Sequence, residues 1–161
     1  MTDAGGLRPR ELLATLDRSG VEFVVIGGFA LAPHGYVRAT KDLDIVPQPT
    51  AANRRRLAAA LGELDAAVAT GDIGADELGL RPDERGLAAG GNWVLRTRHG
   101  RLDVMQDVPG LRDYARLRVG AVVVDGIHYA GYDDLIRMKV ASGRDEDLRD
   151  IGALEAARSG R

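Results

Sequence analysis

Asp42 and Asp44 stand two residues apart in the run Lys41-Asp42-Leu43-Asp44-Ile45-Val46, and a third acid, Asp103, lies inside Arg101-Leu102-Asp103-Val104-Met105. On a β-strand, side chains at i and i+2 share a face. Asp42 and Asp44 therefore project one way, and Leu43 and Ile45 the other. Two carboxylates so placed repel each other and resist burial unless a cation neutralises them. Mg²⁺ suits the position, because it takes hard oxygen ligands and leaves the rest of its octahedron to water and phosphate oxygens. An edge strand with an outward acidic face is the other reading that this spacing allows. Leu102 and Val104 share a strand face, which leaves Asp103 on the opposite one. A third carboxylate on a neighbouring strand completes a site for two divalent ions, as used for in-line displacement at phosphorus. The alternative is that Asp103 pairs with Arg98 or Arg101 across a hairpin.

The elements that must position these acids are short. Residues 21–26 form an apolar, β-branched run that ends in Gly27-Gly28, the pattern of a buried strand delivering the chain to a sharp turn. Residues 29–34 suit a short helix whose free N–H groups could face an anion. Thirteen residues separate Gly28 from Asp42. His99-Gly100 marks a turn joining residues 92–98 to the Asp103 strand as a hairpin.

The pattern GG-x13-DxD, followed by a lone acid in Gly100-Arg101-Leu102-Asp103-Val104, resembles the nucleotidyltransferase superfamily with the polymerase-β-like fold. Arg38-Ala39-Thr40-Lys41-Asp42-Leu43-Asp44-Ile45 and the late segment at 134–151 resemble its small AbiEii-type branch, found in prokaryotic toxin–antitoxin and phage-defence systems. The resemblance implies that Asp42, Asp44 and Asp103 are the metal-binding and catalytic triad, holding two Mg²⁺ ions (or Mn²⁺), with Asp103 also able to act as base. It implies that Gly27 and Gly28 let the backbone approach a nucleoside triphosphate such as ATP. Many members have Gly-Ser where this chain has Gly27-Gly28, and Thr40 or Arg38 could compensate for the missing hydroxyl.

Lys139 stands out without that resemblance. In a helix over 133–142 the inward stripe runs Leu135, Met138 and Ser142, so Lys139 occupies a place where an apolar residue is expected. Its ammonium could reach a triphosphate, or its stem could pack on the core with the charge snorkelling to water. Asp147 and Asp150 match acidic positions of the superfamily's last motif, and Asp147 is a candidate partner for Lys139. Acids in a first helical turn are also ordinary complements of the helix dipole.

Other elements follow from periodicity and punctuation. A helix over 9–18 has Pro9 in its first turn, Leu12, Leu13 and Leu16 inward and Gly20 beyond its end. A helix over 50–64 turns Leu57, Ala60, Leu61 and Leu64 inward, with Arg54, Arg55 and Arg56 either on its solvated side or on phosphates. Asp125-Gly126 predicts a hairpin between strands at 119–124 and 127–130, and two helices flanking Gly143 close the chain. Residues 65–91 hold six glycines and no clear period, and read as irregular and mobile, with a short helix near Glu77 to Leu80.

The chain has 161 residues, 45% of them hydrophobic, enough for one core and short for two domains. The expected architecture is a single α/β domain over 1–161, with a mixed β-sheet flanked by helices. A net charge of −2 gives no broad footprint for a nucleic-acid polymer. Cysteine is absent, which excludes disulfides and thiolate metal sites, and His34, His99 and His128 lack zinc spacing and read as turn or surface residues. No apolar run has the length of a membrane span or of a signal-peptide core, so a cytoplasmic location and no membrane partner are expected. The expected reaction is metal-dependent transfer of a nucleoside monophosphate from a triphosphate to a hydroxyl of a tRNA, a protein or a small molecule. Two alternatives use the same residues. One is an inactive nucleotide- or partner-binding member of a toxin–antitoxin pair, bound to its cognate toxin or antitoxin, and the other an antibiotic adenylyltransferase.

Overall fold

Residues 6–69 and 79–160 are described in the computed structural model of the chain. Pro9 opens helix α1 (Pro9–Arg18), whose inward stripe is Leu12, Thr15 and Leu16. Leu13, expected on that stripe, is only half-buried. Thr15 takes the inward place because its hydroxyl donates to the Glu11 carbonyl at 2.9 Å, which satisfies its polar atom within the helix. The chain continues through β1 (Phe23–Ile26), a 3₁₀ helix (Gly27–His34), β2 (Asp42–Pro47), α2 (Ala51–Glu63) and β3 (Ala67–Val68). Then come α3 (Glu84–Ala88), β4 (Trp93–Thr97), β5 (Gly100–Val104), α4 (Tyr114–Gly120), β6 (Val122–Val124), β7 (Ile127–Tyr129), α5 (Tyr132–Ser142) and α6 (Asp145–Ser159). The fold is α/β. Its strands pair in both parallel and antiparallel fashion and are flanked by helices, as the sequence implies.

The chain folds as two compact units, one made of Met1–Phe23 and Lys41–Asp107, the other of Val24–Thr40 and Val108–Arg161. In the first unit the strand order is β3-β4-β5-β2. Strands β2 and β5 run parallel, with Leu43 opposite Leu102 and Asp44 opposite Asp103, while β4 is antiparallel to both β5 and β3. Leu43, Ile45, Leu95, Leu102 and Val104 are fully buried and form the core under this sheet. Helix α2 packs against β2 and α1 through the expected stripe of Leu57, Ala60 and Leu61, with Leu64 just beyond its end. Arg55 and Arg56 lie exposed on its solvated side, and Thr50 caps it by accepting from the Asn53 amide.

Asn53 was not foreseen and is fully buried. Its carboxamide accepts from the Glu22 amide at 2.8 Å and donates to the Glu22 and Gln48 carbonyls at 2.8 and 2.9 Å. One side chain thereby satisfies three backbone groups at the approach to β1 and the exit of β2. Where residues 65–91 are described, the expected irregular stretch instead contains β3 and α3, the latter capped by Asp83. The expected helix near Glu77 to Leu80 falls on residues that are largely outside the described ones.

In the second unit β1 is parallel to β7, with Val25 opposite Tyr129, and β6 is antiparallel to β7. Asp125 and Gly126, with φ of 51° and 80°, form the two-residue turn that the Asp-Gly pair predicts. The strand expected over 119–124 begins only at Val122. Asp113 caps α4 by accepting from the Arg116 amide at 2.7 Å, and Leu117 buries the helix's inner face, so the cap and one core contact override the β-propensity of Val119. Helices α5 and α6 pack on each other and on the 3₁₀ helix, with Gly143 between them at a φ of 64°. Ser142, expected inward, is exposed at the last turn of α5.

Candidate metal centre and glycine turn

The acidic cluster belongs to the first unit. Leu43 and Ile45 lie in the core, so the strand's alternation sends Asp42 and Asp44 to the opposite face. Parallel pairing of β2 with β5 sets Asp103 beside Asp44. One carboxylate oxygen from each of Asp42, Asp44 and Asp103 lies within 4.8 Å of the others. Asp42 and Asp44 are half-buried, and Asp103 is buried. Arg101 Nε lies 3.3 Å from Asp103 Oδ1, so Asp103 both joins the cluster and pairs with an arginine, whereas Arg98 reaches Asp65 at 2.8 Å.

The electrostatics show a deficit of positive charge. Burial pushes the Asp44 carboxyl up to about 8, reinforced by the neighbouring charges of Asp103 and Asp42. Asp103 is also raised, first by burial, with Arg101 opposing the shift and Asp42 adding to it. Three converging carboxylates, two of them reluctant to ionise, fit a divalent cation bound through hard oxygens.

The glycine turn belongs to the second unit. Gly27 has a φ of 69°, a left-handed conformation that favours glycine. At Gly28 a Cβ would lie 2.9 Å from Thr40 Oγ1 and 3.2 Å from an Arg38 terminal nitrogen, so the absence of a side chain is what admits these two polar groups to the turn. Lys139 is buried in α5, as its place on the inward stripe predicts. Its ammonium is held in ion pairs inside the protein. It donates to Asp150 Oδ2 at 2.7 Å and lies 3.6 Å from Asp147 Oδ1, which places the expected Asp147 partner and adds a closer one. Asp150 also receives Arg38 through Nε at 2.8 Å and Nη2 at 3.0 Å. Burial pushes the Asp150 carboxyl up, but the hydrogen bonds from Arg38 and Lys139 outweigh it and hold the group below the ordinary carboxylate range.

Gly28 and Lys139 are thus linked through Arg38 and Asp150, and the pairing of Arg38 with Asp150 is what the sequence signalled least. The available clue was the 147, 150, 154 spacing of buried residues on α6, which turns Asp150 inward. His34 departs from its expected surface position. It is buried, with Nε2 2.9 Å from the Ala130 carbonyl and its ring edge-on to Tyr132. The second unit also has a cavity of about 540 Å³ between α4, the start of α5 and Arg158, walled by Arg112, Arg116, Arg137 and Asp134. Nothing in the sequence spacing pointed to it, because three separate segments supply its walls.

Residues 9–158 match the family described as nucleotidyltransferase of unknown function, DUF6036. No curated protein matches the chain. Among solved structures, the chain is similar to the antibiotic-resistance factor ANT(2'')-Ia, at 16% identity and a TM-score of 0.54 over 94% of this chain and 88% of that one. A second structure, of ANT(2'')-Ia in complex with adenylyl-2''-tobramycin, gives 15% identity and a TM-score of 0.53 over 94% and 93% of the two chains. A candidate nucleotidyltransferase of Thermotoga maritima aligns over the whole of both chains at 17% identity and a TM-score of 0.52. At these identities the likeness is one of fold. The match over residues 9–158 goes further: the chain belongs to the DUF6036 family of nucleotidyltransferases.

Proposed function

We propose that this chain transfers a nucleoside monophosphate from a nucleoside triphosphate to a hydroxyl acceptor, with Asp42, Asp44 and Asp103 holding divalent metal. The observation that carries the reading is the convergence of three carboxylates, with oxygens within 4.8 Å of one another, on the two parallel strands β2 and β5. Their hard oxygen donors and shared excess of negative charge suit Mg²⁺, with Mn²⁺ as the natural substitute. Bound there, such ions supply Lewis acidity toward the triphosphate and the attacking hydroxyl. The protein's own contribution begins with Asp103. Arg101 orients one of its oxygens, with Nε 3.3 Å from Oδ1. Asp103 takes the proton as the acceptor oxygen forms its bond to the α-phosphorus, the bond from that phosphorus to the bridging oxygen breaks, and pyrophosphate leaves. Asp42 and Asp44 would hold the metal. In the second unit, the turn at Gly27 and Gly28, with Thr40, suits phosphate oxygens in its own right. Lys139 acts from within the structure, holding Asp150 in place.

The acceptor is a finer matter. ANT(2'')-Ia, whose fold this chain shares, has been seen with an adenylylated aminoglycoside, which favours a small-molecule hydroxyl as acceptor over a protein or tRNA. The resemblance of residues 38–45 to AbiEii-type proteins supports a toxin–antitoxin setting, in which a cognate protein partner accompanies the enzyme. No helix among the described residues is long and apolar enough to cross a membrane. We place the protein in the cytoplasm, where nucleoside triphosphates are made.

The test is a thermal-shift titration of wild type and the Asp42→Asn/Asp44→Asn variant with each nucleoside triphosphate, with and without Mg²⁺. It is followed by an acceptor panel of aminoglycosides, tRNAs and proteins with labelled nucleotide. A ligand at about 100 times its Kd stabilises the fold by roughly 2.7 kcal/mol, a shift of several degrees. The reading requires a Mg²⁺-dependent shift that the variant lacks. Its absence for every triphosphate would leave the inactive, partner-binding reading as the better one.

A further inference from the structure

We propose that Arg38 is the charged phosphate donor of the glycine turn, locked in place by Asp150 and masked in the free protein by Glu146. The inference rests on the nucleotide-transfer reading and names a residue and a regulatory contact within that site. Its basis is the geometry around one guanidinium. Nε and Nη2 of Arg38 are both fixed on Asp150, at 2.8 and 3.0 Å, in the two-pronged arrangement that holds an arginine rigid. Asp150 is almost fully buried and is itself pinned by Lys139 at 2.7 Å. Two of the guanidinium's three nitrogens are therefore occupied by the protein, and the third, Nη1, is turned toward the glycine turn. It lies 3.2 Å from the position a Cβ would take on Gly28 and donates to the Ala39 carbonyl at 3.1 Å.

Any larger side chain at residue 28 would crowd Nη1, so Gly-Gly in place of Gly-Ser exchanges a hydroxyl for close access to a guanidinium. A rigid arginine presented beside a glycine turn suits phosphate oxygens, which it can hold through its fixed fork of N–H donors. Nη1 also lies 3.2 Å from Glu146 Oε1. Glu146 is 54% exposed, unlike the 1% of Asp150. Its carboxylate occupies the kind of position that a phosphate oxygen would take, and an exposed ion pair of this sort contributes little and is readily displaced. Glu146 is thus an internal competitor of the triphosphate, whereas Asp150 is its scaffold.

The test uses the full chain and isothermal titration with magnesium tripolyphosphate and with the magnesium nucleoside triphosphate that shifts the melting temperature. Glu146→Gln removes the competing charge from an exposed side chain and should tighten both ligands by about two- to fivefold. Arg38→Gln should weaken both by about tenfold or more. Arg38→Lys keeps the charge, loses the two-pronged anchor and should fall between. A fold defect in an arginine variant leaves the Glu146→Gln measurement decisive, since that residue supports no buried group. Unchanged affinity in Glu146→Gln would overturn the masking. Unchanged affinity in a folded Arg38→Gln would overturn the phosphate role while Mg²⁺-dependent binding, lost in Asp42→Asn/Asp44→Asn, still stood. Failure of the wild type to bind any triphosphate would overturn both readings.

Discussion

At the scale of single residues the protein contains two clusters of charge with opposite characters. Asp42, Asp44 and Asp103 are carboxylates in excess, and this excess makes them costly to the fold without a cation. Asp44→Asn should therefore leave the metal-free melting temperature unchanged or raised, while transfer falls by about 100-fold or more, since changing mere partners of metal ligands already costs about 10- to 100-fold. A clear drop in the metal-free melting temperature would contradict this. Lys139, Asp147 and Asp150 are instead buried and mutually compensated, with the half-buried Arg38 paired to Asp150. Lys139→Met leaves Asp150 and Asp147 short of a cation and should destabilise by roughly 3–5 kcal/mol in urea unfolding with an unchanged slope. The same cluster governs acid stability. Asp150 titrates below its unfolded value of 3.8. Its contribution is therefore complete above that value and disappears as pH falls through the lower, folded one. Asp150→Asn should lower stability at neutral pH and flatten the acid limb of the stability profile below about pH 4, read from urea midpoints.

At the scale of elements, local signals were sufficient wherever alternation or a cap was strong. Helix α1 spans Pro9–Arg18 as its proline, leucine spacing and terminal glycine predict, and the Asp-Leu-Asp run forms a strand with its leucine in the core. The signals failed where a helix cap or a buried side chain outweighed local propensity. Valines at 119–124 read as a continuous strand, yet Asp113 and Leu117 extend α4 through Gly120. Asn53 reads as an ordinary polar residue of a helical first turn, yet it satisfies backbone groups distant in sequence. Asn53→Ala would strand the Glu22 amide and two carbonyls and should cost about 2–3 kcal/mol, as measured by denaturant unfolding. A cost below about 0.5 kcal/mol would show that water replaces the carboxamide.

At the scale of the whole molecule, a net charge of −2 and a chain of 161 residues describe many proteins and select no ligand. Family membership supplies the reaction class, and in the function proposed above the cluster of acids carries it. One surface feature is unusual for a free-standing chain. Strand β6 ends the order β1-β7-β6 and carries Val122, Val123 and Val124, which are 37, 54 and 41% exposed, beside Val119 at 88%. An apolar edge strand without a charged residue invites pairing with other chains. Val123→Lys should reduce light scattering in concentrated samples with the melting temperature little changed. Equal scattering from both proteins would show that β6 does not drive association.

The sequence by itself determined the alternation that puts Asp42 and Asp44 on one strand face, the isolation of Asp103 within a second strand, and the intrusion of a lysine into a helix's buried stripe. Each is a local consequence of backbone periodicity, so neighbouring residues suffice to read it. Only the tertiary structure decided that β5 lies parallel to β2 with Asp103 opposite Asp44, and that Arg101 rather than Arg98 pairs with it. It also decided that Arg38 and Lys139 meet on Asp150, a contact across 112 residues in the case of Arg38. Register and buried charge pairing depend on which distant segments the packing brings together, and no local pattern encodes that choice.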